Sequence, residues 1–200
     1  YFLEEDNEIQ NNFSTRKDFA EAALVALENG GEVDFEDRLI YNPALDQDYL
    51  GRMAKKEREI FDSLTSYQQT QYLMSAQQAW NYAELYYEES FYNGKGDAVR
   101  HAFWNALATV RLGEILTIRL TNAHETKKHP DPNYLYPYKE VQMDLFNNEK
   151  GRQIAYGTGK LYFLVEEALK NGQLRYLSHL QGGGKSGRAT SKSKLTPTNK

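Results

Sequence analysis

Cysteine is absent from this 200-residue sequence, and proline is scarce, with five residues. Without cysteine the chain cannot carry a disulfide scaffold, a thiolate zinc site or a cysteine nucleophile. No stretch approaches 18 consecutive apolar residues, so the sequence predicts no transmembrane segment. The formal net charge is −4, which argues against a dedicated nucleic-acid-binding protein because such proteins are normally basic.

Aromatic residues, in contrast, are plentiful, and 15 Tyr, 9 Phe and 2 Trp supply large side chains for a core. Charge is unevenly distributed along the chain. Residues 182–200 contain five lysines and arginines and no acid, which leaves a net charge of −9 on residues 1–181. Glycine, serine, threonine and lysine without apolar anchors cannot offset the entropy of ordering, so we predict a disordered basic tail over 182–200.

The spacing of apolar residues predicts an all-α fold, a single domain of five to seven irregularly packed helices. We place an acidic lead-in at 1–13, the helical domain at 14–181 and a motif core within it at 93–157. Thr65 is the expected N-cap of the longest helix, and Gly113 marks a break or bend. The predicted helices cover residues 15–28, 50–64, 65–87, 97–125, 139–156, 160–171 and 174–180.

A polar stripe lies on the otherwise apolar helix that begins near residue 97. On a helical wheel Asp97, His101 and Asn105 share one face, with Trp104 beside them. An unpaired buried polar group costs about 1–3 kcal/mol, and a buried charge costs more. Asp97 alone has the position of a helix-capping residue. The stripe as a whole, however, predicts side chains that bind one another or a ligand.

A second polar stripe lies on the helix predicted over 139–156, and the tripeptide Ala123-His124-Glu125 stands at a helix end between the two. Two histidines and several carboxylates on three neighbouring elements are suited to a divalent metal bound through nitrogen and oxygen. The polar members of the second stripe are Glu140, Asp144, Asn147 and Asn148.

The metal hypothesis assigns one divalent ion to ligands from all three elements. Glu125 would be the general base on a metal-polarised water. Arg100 and Arg152 would orient carboxylates or neutralise an anionic substrate. The proposed ligands are Asp97, His101, His124 and Asp144, with Glu140 as a further candidate and Trp104, Asn105, Asn147 and Asn148 in support.

The same residues are also compatible with a purely structural network that ties three helices together without a metal or a reaction. In that arrangement His101 would donate to Asp144, and Arg100 would pair with Glu140. Paired and perturbed groups cluster both at functional sites and in structural networks. The sequence therefore leaves the two interpretations open.

Three motifs, in order, resemble an uncharacterised bacterial helical domain family that occurs on exported and cell-surface proteins. They are GDAVRHAFWNAL at 96–107, AHE at 123–125 and MDLFNNEKGR at 143–152. The family pattern is GDAxRHAxWNAL, AHE and MDLxNNxxGR. The resemblance covers about residues 93–157 and implies a helical fold and an extracytoplasmic location, whether periplasmic, cell-surface or secreted. It implies no activity.

Three classes of function remain open at this stage. The first is a metal-dependent hydrolase acting on an anionic substrate that carries phosphate or carboxylate, such as a small molecule, a lipid or an envelope polymer. The second is a non-enzymatic surface or interaction domain. The third, suggested only by the resemblance, is a toxin-like effector module.

Overall fold

The computed structural model describes residues 45–182 and 186–200, which belong to one compact unit, Leu39–Lys200. These residues are mostly helical, which confirms the predicted fold class, and they add one two-stranded sheet. The predicted lead-in over 1–13 and the first predicted helix over 15–28 lie outside the described residues. Within the described ranges, no helix is both long and apolar enough to cross a membrane.

Seven α-helices, one 3-10 turn and two strands make up the regular structure of the described residues. In chain order these elements are α1 (Asp46–Arg52), α2 (Lys55–Asp62), α3 (Ser66–Tyr86), the 3-10 turn (Glu88–Ser90), α4 (Lys95–Leu112), α5 (Glu114–His124), α6 (Pro137–Ile154), α7 (Leu161–Lys170), β1 (Arg175–Leu177) and β2 (Leu195–Pro197).

Local chemistry sets two of the helix boundaries where the sequence predicts them. Thr65 caps α3, since its side chain accepts a hydrogen bond from the Gln68 amide at 3.3 Å and the Gln68 side-chain oxygen accepts one from the Thr65 amide at 3.1 Å. Gly113 separates α4 from α5 with a φ of +81°, a backbone conformation that favours glycine. The predicted helix over 50–64, however, is divided between α1 and α2.

Helix α4 is the centre of the unit and packs against α3, α5, α6, α7 and β1. Most of its residues are buried, including its polar stripe. The contact with α6 is unusually close at Gly151, because a Cβ there would lie 2.1 Å from the carbonyl oxygen of Ala102. Only glycine permits this backbone-to-backbone approach, and it brings the polar stripe of α6 against that of α4.

The predicted disordered tail is wrong for residues 186–200, and the predicted helix over 174–180 is also wrong. Strand β2 pairs antiparallel with β1, with Tyr176 opposite Thr196. Ala189, Ser193 and Thr198 are buried.

Ala189 anchors this segment by packing with Met143 and Leu177, and hydrogen bonds between α6 side chains and the segment's backbone hold the rest. The ammonium group of Lys139 donates to the carbonyl oxygens of Thr190, Ser191 and Ser193 at 2.9, 3.0 and 2.8 Å. The carboxylate of Glu140 accepts from the Ala189 amide at 3.1 Å. Two charged side chains on α6 therefore fix a segment whose own composition offers few apolar residues.

Candidate metal centre

The imidazole of His101 is the centre of the polar cluster between α4 and α6, and it is 2% exposed. Its Nε2 atom lies 3.4 Å from Asp97 Oδ1 and 3.3 Å from Asp144 Oδ1. One ligand atom from each of the three residues lies within 4.8 Å of the others. Metal–ligand bonds of about 2.0–2.2 Å put neighbouring ligand atoms about 3–4 Å apart, so the two distances from His101 Nε2 fit a small divalent ion.

A chain of hydrogen bonds fixes which nitrogen of His101 carries the proton. Arg152, which can only donate, donates to Asn105 Oδ1 at 3.1 Å, so the other end of that amide is its NH₂ group. This NH₂ donates to Asn148 Oδ1 at 2.7 Å, and the same oxygen lies 3.0 Å from His101 Nδ1. Nδ1 is therefore the protonated nitrogen, and the lone pair of Nε2 faces Arg100 Nη2 at 2.9 Å as well as the two aspartates.

Burial and the neighbouring Arg100 cation lower the pKa of His101 to about 3, so the ring is neutral at physiological pH. A neutral imidazole with a free lone pair is the form that binds metals.

Asp144 is the third residue of the cluster, and one of its carboxylate oxygens lacks a hydrogen bond. Its Oδ1 atom is buried and accepts no hydrogen bond, although it lies 3.3 Å from His101 Nε2. Two acceptor atoms at this distance repel each other unless a proton or a cation lies between them. Burial, followed by the charges of Glu125 and Asp97, raises the pKa of Asp144 well above its ordinary range.

Arg100 is the cation that the structure places at this cluster. Its Nη2 atom donates to Asp97 Oδ1 and lies 2.9 Å from His101 Nε2. The other oxygen of Asp97 accepts from the Asn93 amide at 2.6 Å. The expected pairing of Arg100 with Glu140 is therefore wrong, because Asp97 lies one turn away on the same helix.

Glu125 lies on the opposite side of the His101 ring from the three ligand atoms. Its Oε1 atom is 3.6 Å from His101 Nδ1 and accepts from Asn148 Nδ2 at 2.9 Å. Burial raises the pKa of Glu125. This arrangement suits a carboxylate that orients the histidine through Asn148.

His124 lies outside the group of three ligand atoms. Its Nδ1 atom is 2.7 Å from Glu57 Oε2, and its ring packs edge-on against Trp104 with centroids 5.0 Å apart. Trp104 in turn contacts the His101 ring, at 6.2 Å between centroids. The indole thus stands beside both histidines, and it is 4% exposed, as its position in the stripe suggests.

Two members of the second stripe have structural partners instead. Glu140 accepts from Asn93 Nδ2 at 3.0 Å, from the Tyr134 hydroxyl and from the tail amide of Ala189. Asn147 exchanges two hydrogen bonds with the backbone of Arg175 in β1, at 2.8 and 2.9 Å. Both residues hold the C-terminal segment against α6.

Sequence reasoning missed Glu57 and Asn93. Glu57 is 1% exposed and binds His124, the Tyr72 hydroxyl at 2.8 Å and the Ala54 amide at 3.0 Å. Its sequence signal is its position, because a glutamate at the third residue of a helix often reaches back to the N-cap amide. The signal of Asn93 is the Asn-Gly dipeptide, since Asn93 has a φ of +60°.

A cleft of about 450 Å³ opens beside this cluster. Arg100, Trp104 and His124 line it together with residues of α1, α2 and α3. Met53, Tyr92 and Lys127, from the segments between helices, complete the described lining. Arg100 and Trp104 therefore connect the polar cluster to this cleft, whereas Asp97, His101 and Asp144 are not among its described lining residues.

A family model described as a domain of unknown function (DUF6973) matches residues 63–173, more than half of the chain. The matched range contains helices α3 to α7 and every member of the candidate centre. Neither the curated proteins nor the solved structures compared with this chain contain a significant match.

Proposed function

The chain belongs to DUF6973, a domain family of unknown function, and we propose from its site geometry that it is a divalent-metal-dependent hydrolase of anionic esters. One observation carries the proposal. His101 Nε2 and carboxylate oxygens of Asp97 and Asp144 converge with one carboxylate oxygen left without a hydrogen bond. A buried acceptor in this position requires a cation or a proton.

The metal would contribute a water of lowered pKa and a Lewis acid for the ester oxygen. Hydrolysis would form a bond from the water oxygen to phosphorus or carbonyl carbon and break the bond from that atom to the alcohol oxygen. A proton of the water would leave with the alcohol. Asp97, His101 and Asp144 would hold the ion. Arg152, Asn105, Asn148 and Glu125 would orient His101.

This assignment revises three of the expected roles. His124 is left out of the ligand set because Glu57 binds it. Glu125 becomes a positioning residue, because it faces the Nδ1 side of the ring. Arg100 becomes the cation that a metal must displace, because its Nη2 atom already lies at Asp97 and His101.

Turnover of two chromogenic esters tests the hydrolase directly. Protein dialysed against a chelator is supplied with Mn²⁺, Zn²⁺ or Mg²⁺ and assayed with 4-nitrophenyl phosphate and 4-nitrophenyl acetate. We expect turnover of at least one ester only with added ion, and a loss of about 100-fold or more in Asp144→Asn. Glu149→Gln, an exposed carboxylate on the same helix, is the matched control and should retain full activity.

Binding of an ion without turnover of either ester would overturn the hydrolase and leave a metal-binding domain. A non-enzymatic domain with a structural network is the second candidate. It is favoured by the Arg100 guanidinium, which supplies a cation to the cluster without any metal. Failure of all three ions to bind would decide for this alternative.

An extracytoplasmic location is also part of the proposal. Its support is the resemblance of the three motifs to a family found on exported and cell-surface proteins. Cell fractionation with an antibody against this chain tests it, and recovery of the protein with cytosolic markers would contradict it.

A further inference from the structure

The cleft beside the candidate centre combines aromatic rings with positive charge. Its described lining includes Tyr49, Arg52, Trp80, Tyr92, Trp104 and Lys127. A volume of about 450 Å³ is within the range of small-molecule sites. It lies mostly between the first helices of the unit and α4, so one wall belongs to the polar cluster.

Two guanidinium groups share one aromatic ring in this cleft. The Arg52 guanidinium lies 4.6 Å from the centroid of Trp80, and that of Arg100 lies 5.4 Å from the same centroid. Arg52 has no carboxylate within ion-pair distance among the described residues. Lys127 donates to the Arg52 carbonyl oxygen at 2.8 Å, which keeps a third cation nearby.

The acidic side chain among the described lining residues is Glu57, and its carboxylate is already bound. Its two oxygens accept from Tyr72 at 2.8 Å and from the Ala54 amide at 3.0 Å, and His124 lies at 2.7 Å. The described lining therefore has an excess of positive charge. An anion in the cleft would meet Arg52 and Lys127 without displacing an acidic partner.

The rings of the cleft offer a surface for a flat group. Tyr92 is 37% exposed and packs edge-on against Trp80 at 6.4 Å. The indole Nε1 of Trp104 is a buried donor without a hydrogen-bond partner, on a side chain that is 96% buried. Buried indole N–H groups usually have a hydrogen-bond partner, so a ligand oxygen that reached this one would satisfy it.

We infer that this cleft binds a small anionic ligand that carries a flat ring, such as an aryl or heterocyclic phosphate. Arg52 and Lys127 would hold the anion, and Trp80 and Tyr92 would contact the ring. Arg100 joins the cleft to the candidate centre, because it lines the cleft and lies 2.9 Å from His101 Nε2. The ligand is the substrate only if the proposed hydrolase is correct, whereas the binding site stands without it.

Both tryptophans of the chain line the cleft, so intrinsic fluorescence reports on this site. Protein kept in chelator is titrated with phenyl phosphate, methyl phosphate and phenol, with excitation at a wavelength that tryptophan alone absorbs. We expect saturable quenching by phenyl phosphate, with an affinity at least tenfold higher than for either of the other two probes. The chelator removes any metal from the test.

Arg52→Gln and Lys127→Gln should each weaken phenyl phosphate binding, about tenfold in the first case. Both side chains are exposed, so circular dichroism should show an intact fold. Arg58→Gln is the matched control, because Arg58 lies on α2, pairs with Asp62 at 2.7 Å and does not line the cleft.

Three results would overturn the inference. They are the absence of saturable quenching by phenyl phosphate, equal affinity for phenol, or equal affinity for methyl phosphate. Unchanged binding in Arg52→Gln would overturn the assigned position of the anion. Metal binding without phenyl phosphate binding would overturn this inference and leave the metal centre. Phenyl phosphate binding without metal binding would overturn the metal centre and leave this inference.

Discussion

At the scale of single residues, the account depends on Arg100. Its guanidinium bonds Asp97, contacts His101 Nε2 and stacks beside Trp80. It therefore holds the place next to Nε2 that a divalent ion would need. If the cluster is a metal centre, arginine and metal compete for the same lone pairs. If the cluster is structural, the arginine is its permanent cation.

Arg100→Gln separates these two roles. We expect the variant to bind Mn²⁺ at least tenfold more tightly than the unchanged protein, a gain of about 1.4 kcal/mol, because the competing cation is gone. Isothermal titration calorimetry measures this, with Arg58→Gln as a control for loss of an arginine. Weaker or unchanged Mn²⁺ binding in Arg100→Gln would contradict the competition.

The His124–Glu57 pair makes a separate, pH-dependent contribution to stability. Burial lowers the pKa of His124, but the hydrogen bond and charge of Glu57 outweigh burial, and the pKa is raised overall. A raised folded-state pKa stabilises the protein fully below the ordinary histidine pKa of about 6.5 and loses that effect as the pH rises through the raised value.

His124→Gln should therefore lower the free energy of unfolding more at pH 6 than at pH 9, and the two decreases should differ by about 1–2 kcal/mol. Urea denaturation at the two pH values measures the difference. Glu57→Gln removes the partner and should abolish the same pH dependence. If His124→Gln lowers the free energy of unfolding equally at both pH values, Glu57 does not stabilise the protonated form of His124.

The spacing of residues predicts which side chains lie on each polar stripe, but it does not predict which of them form hydrogen bonds or ion pairs. One-turn spacing places Asp97 and His101 on one face, and the structure brings Asp144 to them. Which residues pair depends on how the helices pack. His124 therefore binds Glu57, which is distant in sequence, and does not join the cluster around His101. Likewise, Glu140 binds the tail because Ala189 lies there.

At the scale of elements, the close contact of α4 with α6 positions the whole site. Gly151→Ala would place a methyl group 2.1 Å from the Ala102 carbonyl oxygen, so the helices must separate. We expect a loss of about 1–3 kcal/mol in unfolding free energy and weaker metal binding, because Asp144 would move with α6.

Gly51→Ala is the matched control, since among the described residues no atom beyond its chain neighbours and its own helix backbone lies within 4 Å of the added carbon. Alanine also favours a helix by about 1 kcal/mol over glycine. This variant should be unchanged or more stable. Denaturant unfolding of the two variants side by side checks both expectations. If Gly151→Ala is as stable as the protein with Gly151, the backbone of α6 does not pack against the Ala102 carbonyl group at this short distance.

Elements with strong local signals were predictable, and those held by distant partners were not. The side chain of Thr65 itself caps a helix, and Gly113, which has no side chain, readily adopts the backbone conformation at a helix end. Strand β1 is three residues long, too short for an alternation to be recognised in sequence. Strand β2 follows a polar segment, and its order depends on β1 and on Lys139.

At the scale of the whole molecule, the C-terminal segment is part of the fold. Deleting residues 186–200 removes β2, the buried Ala189 and the carbonyl oxygens that Lys139 binds. We expect a loss of several kcal/mol, and with about 2–4 °C per kcal/mol for a chain of this size the melting temperature should fall by about 10 °C. Differential scanning calorimetry measures it.

The control for this deletion is the double variant Lys192→Gln with Lys194→Gln, which removes two exposed charges and keeps the segment. Its melting temperature should change by no more than about 2 °C, since surface substitutions usually have small effects. A deletion variant as stable as the control would show that the segment contributes nothing to stability, as a disordered tail would.

Calorimetric titration of chelator-treated protein with Mn²⁺, compared with Asp144→Asn, shows whether Asp97, His101 and Asp144 bind a divalent ion. We expect one ion per chain in the unchanged protein and in Glu149→Gln, and no binding in Asp144→Asn. The free energy of unfolding of Asp144→Asn in chelator should equal or exceed that of the unchanged protein, because a neutral amide replaces a buried carboxyl group whose pKa is raised. Failure of the unchanged protein to bind Mn²⁺, or equal binding by Asp144→Asn, would contradict the account.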